Sequence, residues 1–113
     1  MIPTPAMHTS EISSSAMYRT AQFRVAEKSV DKCRKAIQEF VAYVKANEPR
    51  TLLYISLENE KDATQFIHLM AFADPHAMVE HGSSMANKDF ITTIYPEIIG
   101  GVVVSDFYAV AIK

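Results

Sequence analysis

The chain has 113 residues, of which 49% are hydrophobic and 21% charged, and its formal net charge is −2. These values describe one globular domain with a modest core rather than a disordered or fibrous chain. They exclude a nucleic-acid surface, because the densest basic run, Lys28 to Lys35, is interleaved with Glu27 and Asp31 and reads as a solvated helix face. They also exclude a transmembrane helix, which needs roughly 18–20 continuous apolar residues.

Residues 1–16 are rich in Ser, Thr and Pro and lack the basic start and apolar segment of a signal peptide. They read as a poorly ordered arm, with 17–113 as the folded domain. Tyr18–Ala26 alternates with period two, Arg19, Ala21, Phe23 and Val25 on one side, which predicts a strand. Ser29 offers an N-cap and Asp31 an acid for the helix dipole. Val30, Cys33, Ala36, Ile37, Phe40, Val41 and Val44 then recur at helical spacing, predicting a long amphipathic helix stopped at Asn47 and Pro49. Cys33, the only cysteine, falls on the apolar side as a packing residue. A single cysteine allows neither an intramolecular disulfide nor a cysteine-based zinc site, and it fits a reducing, cytoplasmic setting.

Thr51–Leu57 predicts a second strand, Glu58–Asp62 a polar turn, and Thr64–Ala73 a third strand. Asp74-Pro75 starts a helix, Asp as N-cap and Pro at the first helical position. Gly82 is expected to end it in a left-handed conformation. Ser83 or Ser84 caps another helix that runs to about Tyr95 and stops at Pro96. Gly100-Gly101 is expected to break the chain before a final strand, Val102–Ile112. The order β-α-β-β-α-β, with the second helix split, is the α+β, ferredoxin-like plan: an antiparallel sheet with helices on one face.

Two strands are apolar on both faces. In the third, Phe66, His68, Met70 and Phe72 oppose Ile67, Leu69, Ala71 and Ala73. In the last, Val103 and Phe107 oppose Val102, Val104 and Tyr108. Helices cover one face of so small a sheet, and an antiparallel sheet with a wet second face alternates apolar with polar. An apolar face of this size marks an interface, so a two-fold homodimer is expected.

At these residues the chain resembles the antibiotic-biosynthesis monooxygenase (ABM) domain family of dimeric α+β barrels, over about Met17–Lys113. The resemblance is carried by an apolar strand ending in the aromatic Phe72, then Asp74-Pro75, Ala77, Met78 and His81, with Phe90 in the next helix. Glu48-Pro49 and Tyr54 match a second signature. The chain departs from the family pattern at Arg50, where Gly is usual, at Met70, where Glu is common, and at Phe72, where Trp is common. Phe23 and Phe72 stand where the haem-degrading branch has Asn and Trp, which disfavours that activity. The resemblance implies oxygenation, without flavin, metal or other cofactor, of a quinol, phenolic or polyketide-like aromatic. The deprotonated substrate would itself supply the electron to dioxygen, and the protein an apolar pocket, a base and hydrogen bonds. A non-catalytic dimeric binding module, and a cyclase or isomerase using the same pocket, stay open beside it.

His81 and His68 are the candidate bases, since imidazole titrates near neutral pH. Against that, His81 suits a helix end and His68 a hydrogen-bonded core position. Tyr54, Tyr18, Tyr95 and Tyr108 are candidates to hold a phenolate oxygen. Tyr54, Phe66, Met70, Phe72, Met78 and Phe90 are candidates to line the pocket, and the same apolar residues would equally serve as core. His76 and Glu80 have i, i+4 spacing without an HExxH pattern, so no metal site is expected.

Overall fold

The computed structural model describes residues 15–113. Its strands are β1 (Met17–Val25), β2 (Thr51–Asn59), β3 (Asp62–Phe72) and β4 (Ile98–Phe107). Its helices are α1 (Val30–Asn47), α2 (Pro75–Ser83) and α3 (Met85–Ile94), with short 3-10 turns at Glu27–Ser29 and Tyr95–Glu97. The four strands form one antiparallel sheet in the order β2-β3-β1-β4, so the fold is α+β and ferredoxin-like, as expected. Most of the expected arm, including His8, lies outside the described residues; Ala16, assigned to the arm, is buried next to β1.

Strand register fixes which side chains share a face. Ala21 pairs with His68 and Arg19 with Met70, while Met70 also faces Tyr54 across the β2–β3 ladder. This inner face is covered by the helices. Phe23, Val25 and Phe66 pack with Val30, Cys33 and Ile37 of α1 and Ile94 of α3, and Met70 and Phe72 pack with Ala77 of α2. Phe72 and Ile94 are wholly buried, and burial of each such side chain contributes about 1.5–3 kcal/mol. The outer face carries Tyr18, Thr20, Leu53, Ile55, Leu57, Ile67, Leu69, Val103 and Phe107. Of these, Leu57 and Phe107 are each 52% exposed and Val103 62%.

Several local expectations are corrected. Ser29 does not cap α1 with its side chain. Its hydroxyl donates instead to Glu97 Oε1 at 2.5 Å, and Lys32 binds the other Glu97 oxygen, tying the start of α1 to the turn before β4. Gly82 does not end α2 in a left-handed conformation, because the helix continues through it to Ser83. Ser84 then terminates α2 with extended backbone and caps α3 by accepting from Asn87 N–H at 3.0 Å. The β2–β3 connection is tighter than expected, with only Glu60 and Lys61 outside the strands. Gly100-Gly101 does not break the chain before the last strand. Both glycines adopt positive φ, +81° and +85°, inside β4, where its register against β1 shifts between Gln22 and Arg24. Residues without a Cβ allow the strand to kink there and stay in the sheet. β4 therefore starts four residues earlier than expected and ends at Phe107, leaving Tyr108–Lys113 outside the strand.

Candidate functional site

The inner face of the sheet and the helices over it line a half-open cavity of about 200 Å³. Tyr54, His68, Met70 and Phe72 come to it from β2 and β3, His81 from α2, and Phe90 from α3. Ala21, Ile94, Val102 and Val104 add to its apolar character. Phe66 and Met78, the other two residues predicted to line a pocket, are not on its wall. Phe66 stacks on Phe23 with ring centroids 5.6 Å apart, and Met78 packs against the Met70–Phe72–Ala77 cluster. Tyr95 lines the cavity, whereas Tyr108 is exposed, and with Tyr18 it lines an apolar groove at the outer face.

His81 is placed by the local chemistry of α2. Asp74 accepts from Ala77 N–H at 2.9 Å, and Pro75 occupies a position with no N–H to satisfy. The Asp74 carboxyl lies below the usual carboxylate range, first because of that Ala77 bond and then because of its ion pair with Arg50. Arg50, a departure from the family pattern, thus ties the β2 entry to the start of α2. Helical spacing then turns His81 inward, where it is 8% exposed. Its ring lies 5.3 Å from Phe72, 5.6 Å from Phe40 and 5.7 Å from Tyr54, centroid to centroid.

The partner of His81 is Glu48, at the end of α1. His81 Nδ1 lies 2.7 Å from Glu48 Oε1, which also accepts from Thr51 Oγ1 at 2.9 Å. In the neutral ring that donates from Nδ1–H to the carboxylate, Nε2 keeps its lone pair, the tautomer a base requires. Nε2 makes no hydrogen bond among the described residues.

His68 is held differently. It is 2% exposed, and burial pushes its pKa down to about 4, so the ring is neutral at pH 7. Its Nδ1 lies 2.7 Å from Tyr54 Oη. Burial, and then the nearby Glu48 charge, raise the Tyr54 pKa, so the phenol keeps its hydrogen. If Tyr54 donates, His68 Nε2 carries the imidazole hydrogen; if His68 donates, Nε2 keeps the lone pair. In both arrangements His68 Nε2 is a buried polar atom with no partner among the described residues.

Glu48 and Arg19 are the residues that sequence reading did not single out as functional. Glu48 appeared only as half of a Glu-Pro signature, and its contact with His81 spans 33 residues. Arg19 lines the cavity and forms a two-pronged ion pair with Asp106 across β1 and β4, at 2.7 and 3.1 Å. Its signal was present in the sequence, as an arginine on the Ala21, Phe23 and Val25 face of β1. Among the described residues, no three or more His, Cys, Asp or Glu side chains converge as a metal site would require. No helix among them is long and apolar enough to cross a membrane.

The arrangement has known relatives in fold. A candidate antibiotic biosynthesis monooxygenase from Caulobacter crescentus superposes with a TM-score of 0.80 at 24% identity, covering 85% of this chain and 91% of its own. One from Bacteroides thetaiotaomicron gives 0.82 at 13% identity, covering 88% and 94%. One from Nitrosomonas europaea gives 0.80 at 11%, again covering 88% and 94%. At these identities the likeness concerns the fold. No curated protein matches the chain. The sequence profile described as antibiotic biosynthesis monooxygenase matches residues 16–93, which hold β1 through most of α3 and every hydrogen-bonded member of the two histidine pairs. The chain belongs to the antibiotic biosynthesis monooxygenase family.

Proposed function

We propose that the protein is a monooxygenase acting on a small quinol or phenol, with His81 as the base that deprotonates it. The observation that carries this reading is His81 on the wall of an apolar cavity with Nδ1 committed to Glu48 and Nε2 unpaired. A deprotonated quinol is electron-rich enough to reduce dioxygen directly, so the reading requires no flavin or metal. In balance, the substrate loses two hydrogens, one oxygen atom enters it, and the other leaves as water with those hydrogens. Phe72 and Phe90 supply flat apolar contact and Met70 an adaptable one, with the neutral His68–Tyr54 pair on the same wall.

Cavity size narrows the substrate. A cavity of about 150 Å³ holds benzene, and drug-sized ligands occupy about 300 Å³ or more. The value of about 200 Å³ here gives room for a one- or two-ring aromatic. Oxygen uptake with 1,4-naphthohydroquinone tests the reading: uptake above the uncatalysed rate, lost in His81→Ala, is expected. Tight binding without uptake would support a binding module instead, and turnover without oxygen an isomerase.

We further propose that a second copy covers the apolar outer face, where Leu57, Val103 and Phe107 stand exposed beside a groove of about 510 Å³ lined by Tyr18, Leu53 and Leu69. Two such sheets face to face would make the dimeric barrel. Sedimentation at micromolar concentration is expected to give twice the chain's 12.6 kDa, and a stable monomer would rule the dimer out.

A further inference from the structure

We propose that Glu48 is the proton outlet of this site: the Glu48–His81 pair spans the wall between the apolar cavity and a separate polar groove, and passes protons between them. This rests on His81 being the base of the cavity.

The two ends of the pair open on different sides. His81 lines the cavity and not the groove. Glu48 lines the groove and not the cavity, and shares that groove of about 260 Å³ with Tyr43, Asn47, Arg50, Glu80 and Ser84. The side chains of His81 and Glu48 are only 10% and 11% exposed, so they form a wall between the two spaces rather than a channel. The two spaces meet at this pair, and the 2.7 Å bond between Nδ1 and Oε1 connects them.

Glu48 is also bonded asymmetrically. Oε1 receives both His81 and Thr51, while Oε2 is buried and has no donor among the described residues. A carboxylate serving only as a helix anchor has reason to use both oxygens, because an unmet buried acceptor is costly. Here Oε1 is fixed on the imidazole, and it is this oxygen that stands in line to receive the Nδ1 proton.

The transfer balances as follows. The substrate O–H bond breaks, its electron pair stays on the substrate oxygen, and the proton bonds to His81 Nε2. The Nδ1 proton passes to Glu48 Oε1 as the Nδ1–H bond breaks, and the carboxyl then gives a proton to water on the groove side that Glu48 lines, returning to the carboxylate. Run in reverse, the same path returns a proton when the second oxygen atom leaves as water. On the cavity side the pair is faced by Tyr54, with His68 beyond it and Arg19, whose charge is paired with Asp106, also at the cavity. On the groove side it is faced by Tyr43, Glu80 and the Arg50–Asp74 pair.

The test is anaerobic absorbance of 1,4-naphthohydroquinone bound to the full-length protein at pH 7. Wild type is expected to show the bound monoanion. Glu48→Gln keeps an oxygen for Nδ1–H but supplies neither the negative charge nor the proton acceptor, and should lower the anion about tenfold or more. Glu48→Ala should lose it, and formate entering from the groove should restore it without changing wild type. The outlet is overturned if wild type at saturation holds no anion. It is also overturned if Glu48→Gln matches wild type, or if formate fails to rescue a Glu48→Ala protein whose circular dichroism is native. Because oxygen is absent, anion formation with no uptake after admitting air would count against the monooxygenase reading alone.

Discussion

Two imidazoles stand on the wall of one cavity, each beside Tyr54, and their surroundings divide them. His68 is bonded to a neutral phenol, and burial holds its pKa down to about 4. His81 is bonded to a carboxylate that reaches a polar groove on the other side. A ring sealed against charge is suited to hydrogen bonding, and a ring backed by a carboxylate is suited to taking a proton. The same residue type, separated by one tyrosine ring, thus meets two different electrostatic surroundings.

The largest expected effect separates the two by function. His81→Ala should lower kcat for naphthohydroquinone-dependent oxygen uptake roughly 100- to 10,000-fold, the range for loss of a general base. His68→Gln, which can still bond Tyr54, should act mainly on KM. Equal losses in kcat from both variants would break the comparison.

A stability effect comes next. The His68 pKa is lowered in the fold from 6.5 to about 4, so the unfolded chain binds this proton first. The stability associated with neutral His68 is fully present above pH 6.5 and is lost as pH falls from 6.5 through about 4, amounting to about 3 kcal/mol. Urea unfolding at pH 7 and at pH 4.5 should show wild type losing more stability than His68→Gln by about 2 kcal/mol, since pH 4.5 is still above the folded pKa. Identical losses would mean that His68 is not held neutral.

The smallest effect probes the helix that carries His81. Gly82 lies within α2 without positive φ, and a Cβ added there meets nothing within 4 Å. Gly82→Ala should therefore raise stability, by about 0.5 kcal/mol. Gly101→Ala, at φ +85° in β4, should lower it. Thermal melts of the two variants moving in the same direction would contradict these backbone assignments.

Much of this architecture was legible in the residues. Period-two alternation placed β1, the two-sided apolar run within Thr64–Ala73 placed β3, the seven apolar residues from Val30 to Val44 placed α1, and Asp74-Pro75 placed the start of α2. These signals are local, and each comes with its own backbone chemistry. Gly100-Gly101 was read as a break because sequence shows that glycine permits a bend, not whether a neighbouring strand keeps pairing through it. The site was legible in part for the same reason. His68 and Phe72 could be assigned to one face, but register decides that His68 meets Tyr54, and the helix packing decides that His81 meets Glu48. Phe66 shares the face of His68 and Met70 yet stacks in the core, because the cavity covers only part of that face.

The most direct test of the division between the two rings is ¹⁵N NMR of both imidazoles, under argon, as 1,4-naphthohydroquinone is added at pH 7. Before addition, His81 should carry its hydrogen on Nδ1, and His68 should be neutral. On binding, His81 should become protonated at both nitrogens, in full or in fast exchange with Glu48, while His68 stays singly protonated. A second proton appearing on His68, with His81 unchanged, would contradict the assignment of roles.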